Sequence, residues 1–375
     1  MRTFDVAIAG GGLIGGTIAL ELARAGLHVA LFDRHQPGEG ASWAAAGILS
    51  PAPENAGMIS TVPLSRASLR LYPAFVAAVE EISGQSVGYR ARGTLEALFS
   101  TDAQAKLSTI IALHHGLGLK AEPVSAEDAR EMEPTLSPEL EAAVFRPDEA
   151  CVDNRALTKA VLTAAERSGV ETFAASNVES IAKNGGRCAG LVVDGEKVQS
   201  RWTIIAAGCC SGEIEGASQY APVRPAKGQM MALRAEGFNI ERVLWSDDVY
   251  LVPRNDGRVL AGATVEYVGF DKNVTAGGLQ KIITAALQLA PALADAQIEE
   301  TWAGLRPDSA DHLPIIGPTD LDGLLIGTGH FRSGILLAPI TAELIREWIT
   351  TENVSHDWTR LSPMRFGEVA RATNS

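Results

Sequence analysis

The chain has 375 residues, too many for one simple core and enough for about two domains. Hydrophobic residues make up 46% and charged residues 21%, the balance of an ordinary globular protein rather than a disordered or fibrous one. A net charge of −13 repels nucleic acid and anionic lipid, which argues against partners of either kind.

The N-terminal residues Met1–Asp5 run straight into a strand-like stretch, without the apolar core of a targeting segment. No apolar run reaches the ~18 residues of a membrane span. The four cysteines, Cys151, Cys188, Cys209 and Cys210, form no C-x-x-C pair. They read as small buried apolar residues, with neither a metal site nor a disulfide framework, and a reducing cytoplasm fits them.

In chain order, Phe4–Ala9 reads as a buried strand. Ile14, Ile18 and Leu22 then mark one face of a helix, Gly26 stands at its C-cap, and His28–Phe32 is a second buried strand. The next long helix is expected over Ser65–Ile82, followed by a half-buried strand at Thr94–Phe99 and a helix from about Asp102. Ser125 opens a capping box. Asp153 precedes an amphipathic helix, Leu157–Arg167. Asn184-Gly185 and Asp194-Gly195 signal hairpins, and Trp202–Ala207 is a buried strand closing on Gly208.

A β-rich block follows, with strands at Val249–Arg254 and Arg258–Val265 and a helix near Leu279–Leu289. The chain returns to strand at Leu324–Ile326 and to helix at Ile335–Ile349. Parallel-sheet signals thus stand at the start, middle and end, with antiparallel signals between. The expected fold class is α/β: a Rossmann-like dinucleotide domain (1–88, 145–220, 302–365) interwoven with an antiparallel-sheet substrate domain (89–144, 221–301).

The strongest local motif is Gly10-Gly11-Gly12-Leu13-Ile14-Gly15, a G-x-G-x-x-G between strand and helix. Gly10 allows the tight turn, Gly12 the backbone's approach to a pyrophosphate, and Gly15 close packing of helix on strand. The N–H groups of the first helical turn, with the helix dipole, favour the phosphates. Asp33, at the end of the next strand, is placed to accept hydrogen bonds from ribose hydroxyls, with Arg34 beside it.

The fingerprint does not choose between NAD and FAD. The small-residue run Gly40–Leu49, which includes Ser42, Ala45, Ala46, Gly47 and Ile48, suits backbone lying along a long flat cofactor; a tightly packed small-residue helix is the equal alternative. Gly329-His330-Phe331-Arg332-Ser333-Gly334 precedes the helix that begins at Ile335 and Leu336. It sets N–H donors where they could stabilise negative charge on a reduced flavin.

These segments, with Trp302-Ala303-Gly304-Leu305-Arg306-Pro307 and Gly329–Pro339, resemble the D-amino-acid oxidase superfamily over nearly the whole chain, and within it the glycine oxidases of thiamine biosynthesis. The resemblance implies FAD, with Val178, Ala207 and Gly208 joining the residues above in its site; no cysteine or histidine stands at an obvious attachment point, so non-covalent binding is expected. It implies hydride transfer from the Cα of a neutral amino acid to the flavin, then imine hydrolysis and reoxidation by dioxygen. Arg332 matches the family's carboxylate-binding arginine, Tyr250 its active-site tyrosine, and Arg306 the arginine of its G-L-R-P run.

Two positions depart from the glycine oxidase pattern: Asp248 for a histidine and Val265 for a methionine, both expected near the substrate. A dehydrogenase with another electron acceptor and a non-catalytic flavin-binding module are the alternative readings. Homo-oligomerisation is compatible with the chain. His114 and His115 read as solvated, and His330 as contributing backbone rather than a proton.

Overall fold

The computed structural model describes residues 2–53, 56–100, 102–234 and 239–366. Its first half comprises β1 (Thr3–Ala9), α1 (Leu13–Arg24), β2 (Val29–Phe32), α2 (Ala41–Ala44), β3 (Ile48–Leu49), α3 (Val62–Ser83), β4 (Thr94–Leu98), α4 (Ala103–Gly116), β5 (Glu122–Ser125), α5 (Ala126–Met132), β6 (Ala142–Arg146), β7 (Ala150–Cys151), α6 (Asn154–Arg167) and β8 (Glu171–Phe173). There follow β9 (Val178–Asn184), β10 (Arg187–Val193), β11 (Glu196–Ile205), β12 (Val223–Arg234), β13 (Val243–Trp245), β14 (Tyr250–Pro253), β15 (Arg258–Gly262), α7 (Ala276–Leu289), β16 (Gln297–Ser309), β17 (Ile315–Pro318), β18 (Leu324–Thr328) and α8 (Gly334–Thr351).

Two eight-stranded sheets share this chain. The first has the order β17-β18-β11-β1-β2-β8, with the β9–β10 hairpin attached to β11. Its centre is parallel: β1 pairs with β2 and β11, β2 with β8, and β11 with β18. A parallel sheet must be covered on both faces, which is why Val6–Ala9 and Val29–Phe32 are buried without alternation. Helices α1, α3, α6 and α8 pack over one face, where Ile8, Leu20, Leu31, Leu157 and Leu344 share a core.

The second sheet runs β16-β12-β15-β14-β13-β4-β6-β5 and is antiparallel apart from the β13–β4 pair. One face is covered by α7, whose Ile282, Ala286 and Leu289 pack with Leu95, Met231 and Leu251. The expected boundaries at 145 and 302 fall inside β6 and β16, so both strands lie entire in the second sheet. A smaller apolar cluster joins the two halves, setting Ala44 and Ala46 against Met230, Val252 and Trp302.

Helix α8 contains Pro339, whose ring nitrogen cannot donate to the carbonyl one turn back, at Ile335. The buried Tyr72 hydroxyl of α3 donates to that carbonyl instead, and Ser68 Oγ donates to Leu336 O at 2.5 Å. The start of α8 is therefore fixed by a second helix.

Candidate active site

A cavity of about 1270 Å³ opens between the sheets. That exceeds the ~300–1,000 Å³ of an ordinary small-molecule pocket and leaves room for a large ligand and a small one together. One end is the β1–α1 turn. Gly10 has φ +110°, and a Cβ there would overlap the carbonyl of Ala206. The Leu13 N–H donates to Ser42 Oγ at 2.9 Å, and the Gly11 N–H to Asp33 Oδ2 at 2.8 Å. Asp33 thus braces the turn as well as lining the cavity. Arg34 lines it too, held toward Cys210 Sγ at 2.7 Å.

Along the cavity lie Ser42, Ala45, Ala46, Gly47 and Ile48. The alternative of a long small-residue helix is not realised, since α2 ends at Ala44 and extended backbone follows. The outer carbonyls of this segment are held from behind. Asn154 Nδ2 donates to Ser42 O (2.8 Å) and Trp43 O (3.0 Å), Trp302 Nε1 to Ala44 O (3.0 Å), and Arg254 Nη2 to Ala46 O (2.8 Å). The polar backbone is satisfied on one side, so the small side chains can form a smooth wall on the other. Trp302 was noted only as part of the run that resembles a known family, and Asn154 and Arg254 were given no role, because nothing local links the three to a segment over 100 residues away.

Val178, Ala207 and Gly208 line the same wall, and so do His330, Phe331, Arg332, Ser333, Gly334, Ile335 and Leu336 at the start of α8. The cavity therefore has a helix N-terminus at each of two places. Gly15 is the exception among the expected cofactor residues. It does not line the cavity; it is buried, and a Cβ would overlap the carbonyl of Gly10. Its position is fixed by helix–strand packing alone.

Tyr250, Arg306 and Arg332 all line this cavity, from β14, β16 and the loop before α8. The loop is tied to β16: Phe331 N–H donates to Pro307 O at 2.9 Å, and His330 bridges to Asp308. Phe331 sits at φ +47°, a conformation that costs a non-glycine residue energy and here turns the chain ahead of Arg332. Arg332 is exposed through the cavity mouth, while enough protein surrounds it that desolvation lowers its pKa.

Two glycines make room for the other side chains. Gly262 pairs with Tyr250 across the sheet, and a Cβ there would lie 3.1 Å from the phenol oxygen. A Cβ on Gly228 would overlap the guanidinium of Arg306. Sequence reasoning missed both, although a glycine inside a strand is a recognisable sign of close approach. Arg306 Nη1 donates to Thr264 O at 3.1 Å. Burial raises the pKa of Tyr250, with the Arg306 guanidinium beside it pulling the other way. The phenol is therefore a neutral hydrogen-bond donor at neutral pH.

His330 is buried, its Nε2 3.0 Å from Thr341 Oγ1, and desolvation pushes its pKa down to about 3. It is a neutral structural residue. Neither departure from the expected pattern reaches the main cavity. Asp248 is exposed in the β13–β14 turn and Val265 is 39% exposed, both outside the lining, because the chain leaves the sheet at each point. Among the described residues no cluster of three His, Cys, Asp or Glu side chains is placed to hold a metal ion, and no helix is long and apolar enough to cross a membrane.

A family model described as FAD dependent oxidoreductase (DAO) matches residues 5–348. The chain belongs to that family. Its parallel sheet, with the glycine turn and Asp33 at the cavity, is the family's Rossmann-like FAD-binding fold. A bifunctional ThiO/ThiG protein of Synechocystis is 36% identical over 97% of this chain; the chain spans about half (54%) of that relative's length. Glycine oxidase of Bacillus licheniformis is 30% identical, with 95% of this chain and 96% of that protein covered. The crystal structure of glycine oxidase from Geobacillus kaustophilus superposes with a TM-score of 0.92 at 30% identity, covering 97% of this chain and 99% of that one.

Proposed function

We propose that this FAD-dependent oxidoreductase oxidises glycine or another small amino acid, such as sarcosine or a small D-amino acid, to an oxo acid. Ammonia or an amine and hydrogen peroxide are the other products. The observation that carries this reading is that Arg332, Tyr250 and Arg306 line the same cavity as the glycine turn and Asp33. FAD, held by the glycine turn, Asp33 and the start of α8, would supply the hydride acceptor and the route of the electrons to dioxygen.

The chain's own residues then have the task of orientation. The planar guanidinium of Arg332 takes the substrate carboxylate in a bidentate pair. The neutral phenol of Tyr250 donates to the same carboxylate. Arg306 sets the phenol in place and adds positive charge at the cavity's inner edge. The start of α8, with its N–H groups unused in the first turn, stabilises negative charge that develops beside it.

Non-covalent retention of FAD is supported by the chemistry of the nearby nucleophiles. Burial pushes Cys209 up to about 12 and Cys210 up to about 11, so both stay thiols. His330 is held by Thr341. Release of free FAD on acid precipitation is the expected result. The cysteine content fits a reducing cytoplasm.

The test is Arg332→Ala. It should raise KM for amino-acid substrates at least tenfold, the scale of a lost charge-assisted pair of about 1.5–3 kcal/mol, and leave FAD content unchanged. Unchanged kinetics remove Arg332 from substrate binding. Peroxide formed in step with substrate loss separates the oxidase from a dehydrogenase with another acceptor.

A further inference from the structure

The wall that begins at Ser42 ends on a hydroxyl. Leu49 of β3 is fully buried behind the wall, while Ile48 and Ser50 on either side of it line the cavity, as alternation along an extended chain requires. Ile48 joins the apolar cluster that also holds Met230, Trp245 and Tyr250. Ser50 therefore stands roughly 7 Å along the wall from a side chain that packs with the phenol's own cluster.

The polarity of this hydroxyl is set from behind. Strand β3 pairs with β7, Ile48 opposite Cys151 and Leu49 opposite Ala150, and the next step of that register brings Ser50 to Glu149. Ser50 Oγ donates to Glu149 Oε1 at 2.5 Å and accepts from the Ala52 N–H at 3.3 Å. Glu149 is 3% exposed, and among the described residues its Oε2 has no hydrogen-bond partner. A carboxylate only accepts, so the one hydroxyl proton is committed to it. Of the oxygen's two lone pairs, one serves Ala52 and the other is left for the cavity. Ser50 thus presents an acceptor backed by a buried carboxylate. Burying a carboxylate with so few partners is costly, and nothing in the anchor proposed above uses it.

We propose that Ser50, oriented by Glu149, accepts a hydrogen bond from the substrate's amino group and so selects amino acids over other small carboxylic acids. This rests on the amino-acid oxidase reading and deepens it. Arg332, Arg306 and Tyr250 offer donors, which suit a carboxylate and leave an amino group unserved. Ser50 supplies the opposite polarity in the same cavity. By accepting one N–H it leaves the nitrogen lone pair free, and that pair is what drives hydride from the adjacent carbon. Glu149 is a positioning residue: it acts through Ser50, fixing which way the hydroxyl proton points.

The experiment uses the purified flavoprotein and pairs of ligands in which carbon replaces the amino nitrogen: glycine with propionate, sarcosine with butyrate, D-alanine with isobutyrate. Dissociation constants of the amino acids come from the concentration dependence of anaerobic flavin bleaching, and those of the plain acids from perturbation of the flavin's visible absorbance. Ser50→Ala should raise the constants of the amino acids about fivefold to tenfold, the scale of one hydrogen bond, and leave the plain acids within about twofold. Glu149→Gln can donate its amide to Ser50 Oγ and turn the hydroxyl proton toward the cavity, so it should erode the same selectivity with Ser50 still present. A purely structural Glu149 would shift both members of a pair alike. Should that variant not fold, Ser50→Ala decides alone. Equal shifts for both members of a pair in Ser50→Ala, or no shift, overturn the proposal while an amino acid still bleaches the unaltered protein. Absence of bleaching by all three amino acids overturns the oxidase reading, and this one with it.

Discussion

At the scale of single residues the site depends as much on missing side chains as on present ones. Arg306 can lie flat on the sheet because position 228 carries no Cβ. Gly228→Ala should displace the guanidinium with little loss of stability, since the obstructed group is the far end of a flexible chain. A shift of about 1 Å can cost ~100-fold in rate, so kcat/KM should fall by tenfold or more while the melting temperature changes little. A thermal scan beside a kinetic assay checks both halves.

His330 supplies a pH prediction. Its ordinary value is 6.5, and burial takes it to about 3 in the folded chain. Between those values the unfolded state binds a proton that the folded state does not, so stability rises with pH and is lost as pH falls from 6.5 toward 3. His330→Asn, which cannot titrate, should flatten that part of the stability–pH curve measured by urea unfolding. An unchanged slope would place the acid sensitivity elsewhere.

The proposed anchors Tyr250, Arg306 and Arg332 were readable because they stand in runs that resemble a known family. Asp248 and Val265 were expected near the substrate from the family pattern alone; here both lie where the chain has left the sheet, and neither lines the cavity.

At the scale of elements the instructive case is α8. Its N-terminal turn lines the cavity, yet Pro339 removes the donor that would hold that turn together. Tyr72 and Ser68 of α3 fill the gap. Tyr72→Phe leaves the buried carbonyl of Ile335 without a donor and should destabilise the chain by about 1–3 kcal/mol. It should also weaken FAD retention, measured as the free fraction after gel filtration. Full stability and full retention in the variant would show that α8 does not need this support.

The helix itself was legible, with its apolar period over Ile335–Ile349, and so were α3, α6 and the β9–β10 hairpin at Asn184-Gly185. What ties α3 to α8 was not, because one hydroxyl reaching across more than 260 residues of chain leaves no periodic trace.

At the scale of the whole molecule the chain crosses between two sheets repeatedly, and the cavity exists only where they meet. The first sheet contributes the glycine turn and Asp33; the second contributes Tyr250 and Arg306; the loop before α8 contributes Arg332. The sequence carried the parallel and antiparallel halves as separate signals, since buried runs and hairpin turns are local. That three side chains so distant in sequence line one cavity is tertiary, and only the resemblance to a known family anticipated it.

Anchoring of an amino acid beside FAD by these three side chains is measured by anaerobic mixing of the purified flavoprotein with a panel of small amino acids while the flavin's visible absorbance is followed. Saturable bleaching by glycine, sarcosine or a small D-amino acid, restored on admitting air, is expected, with no bleaching by the corresponding amines that lack a carboxylate. Bleaching by the amines as readily as by the acids, or none by any compound, would contradict it.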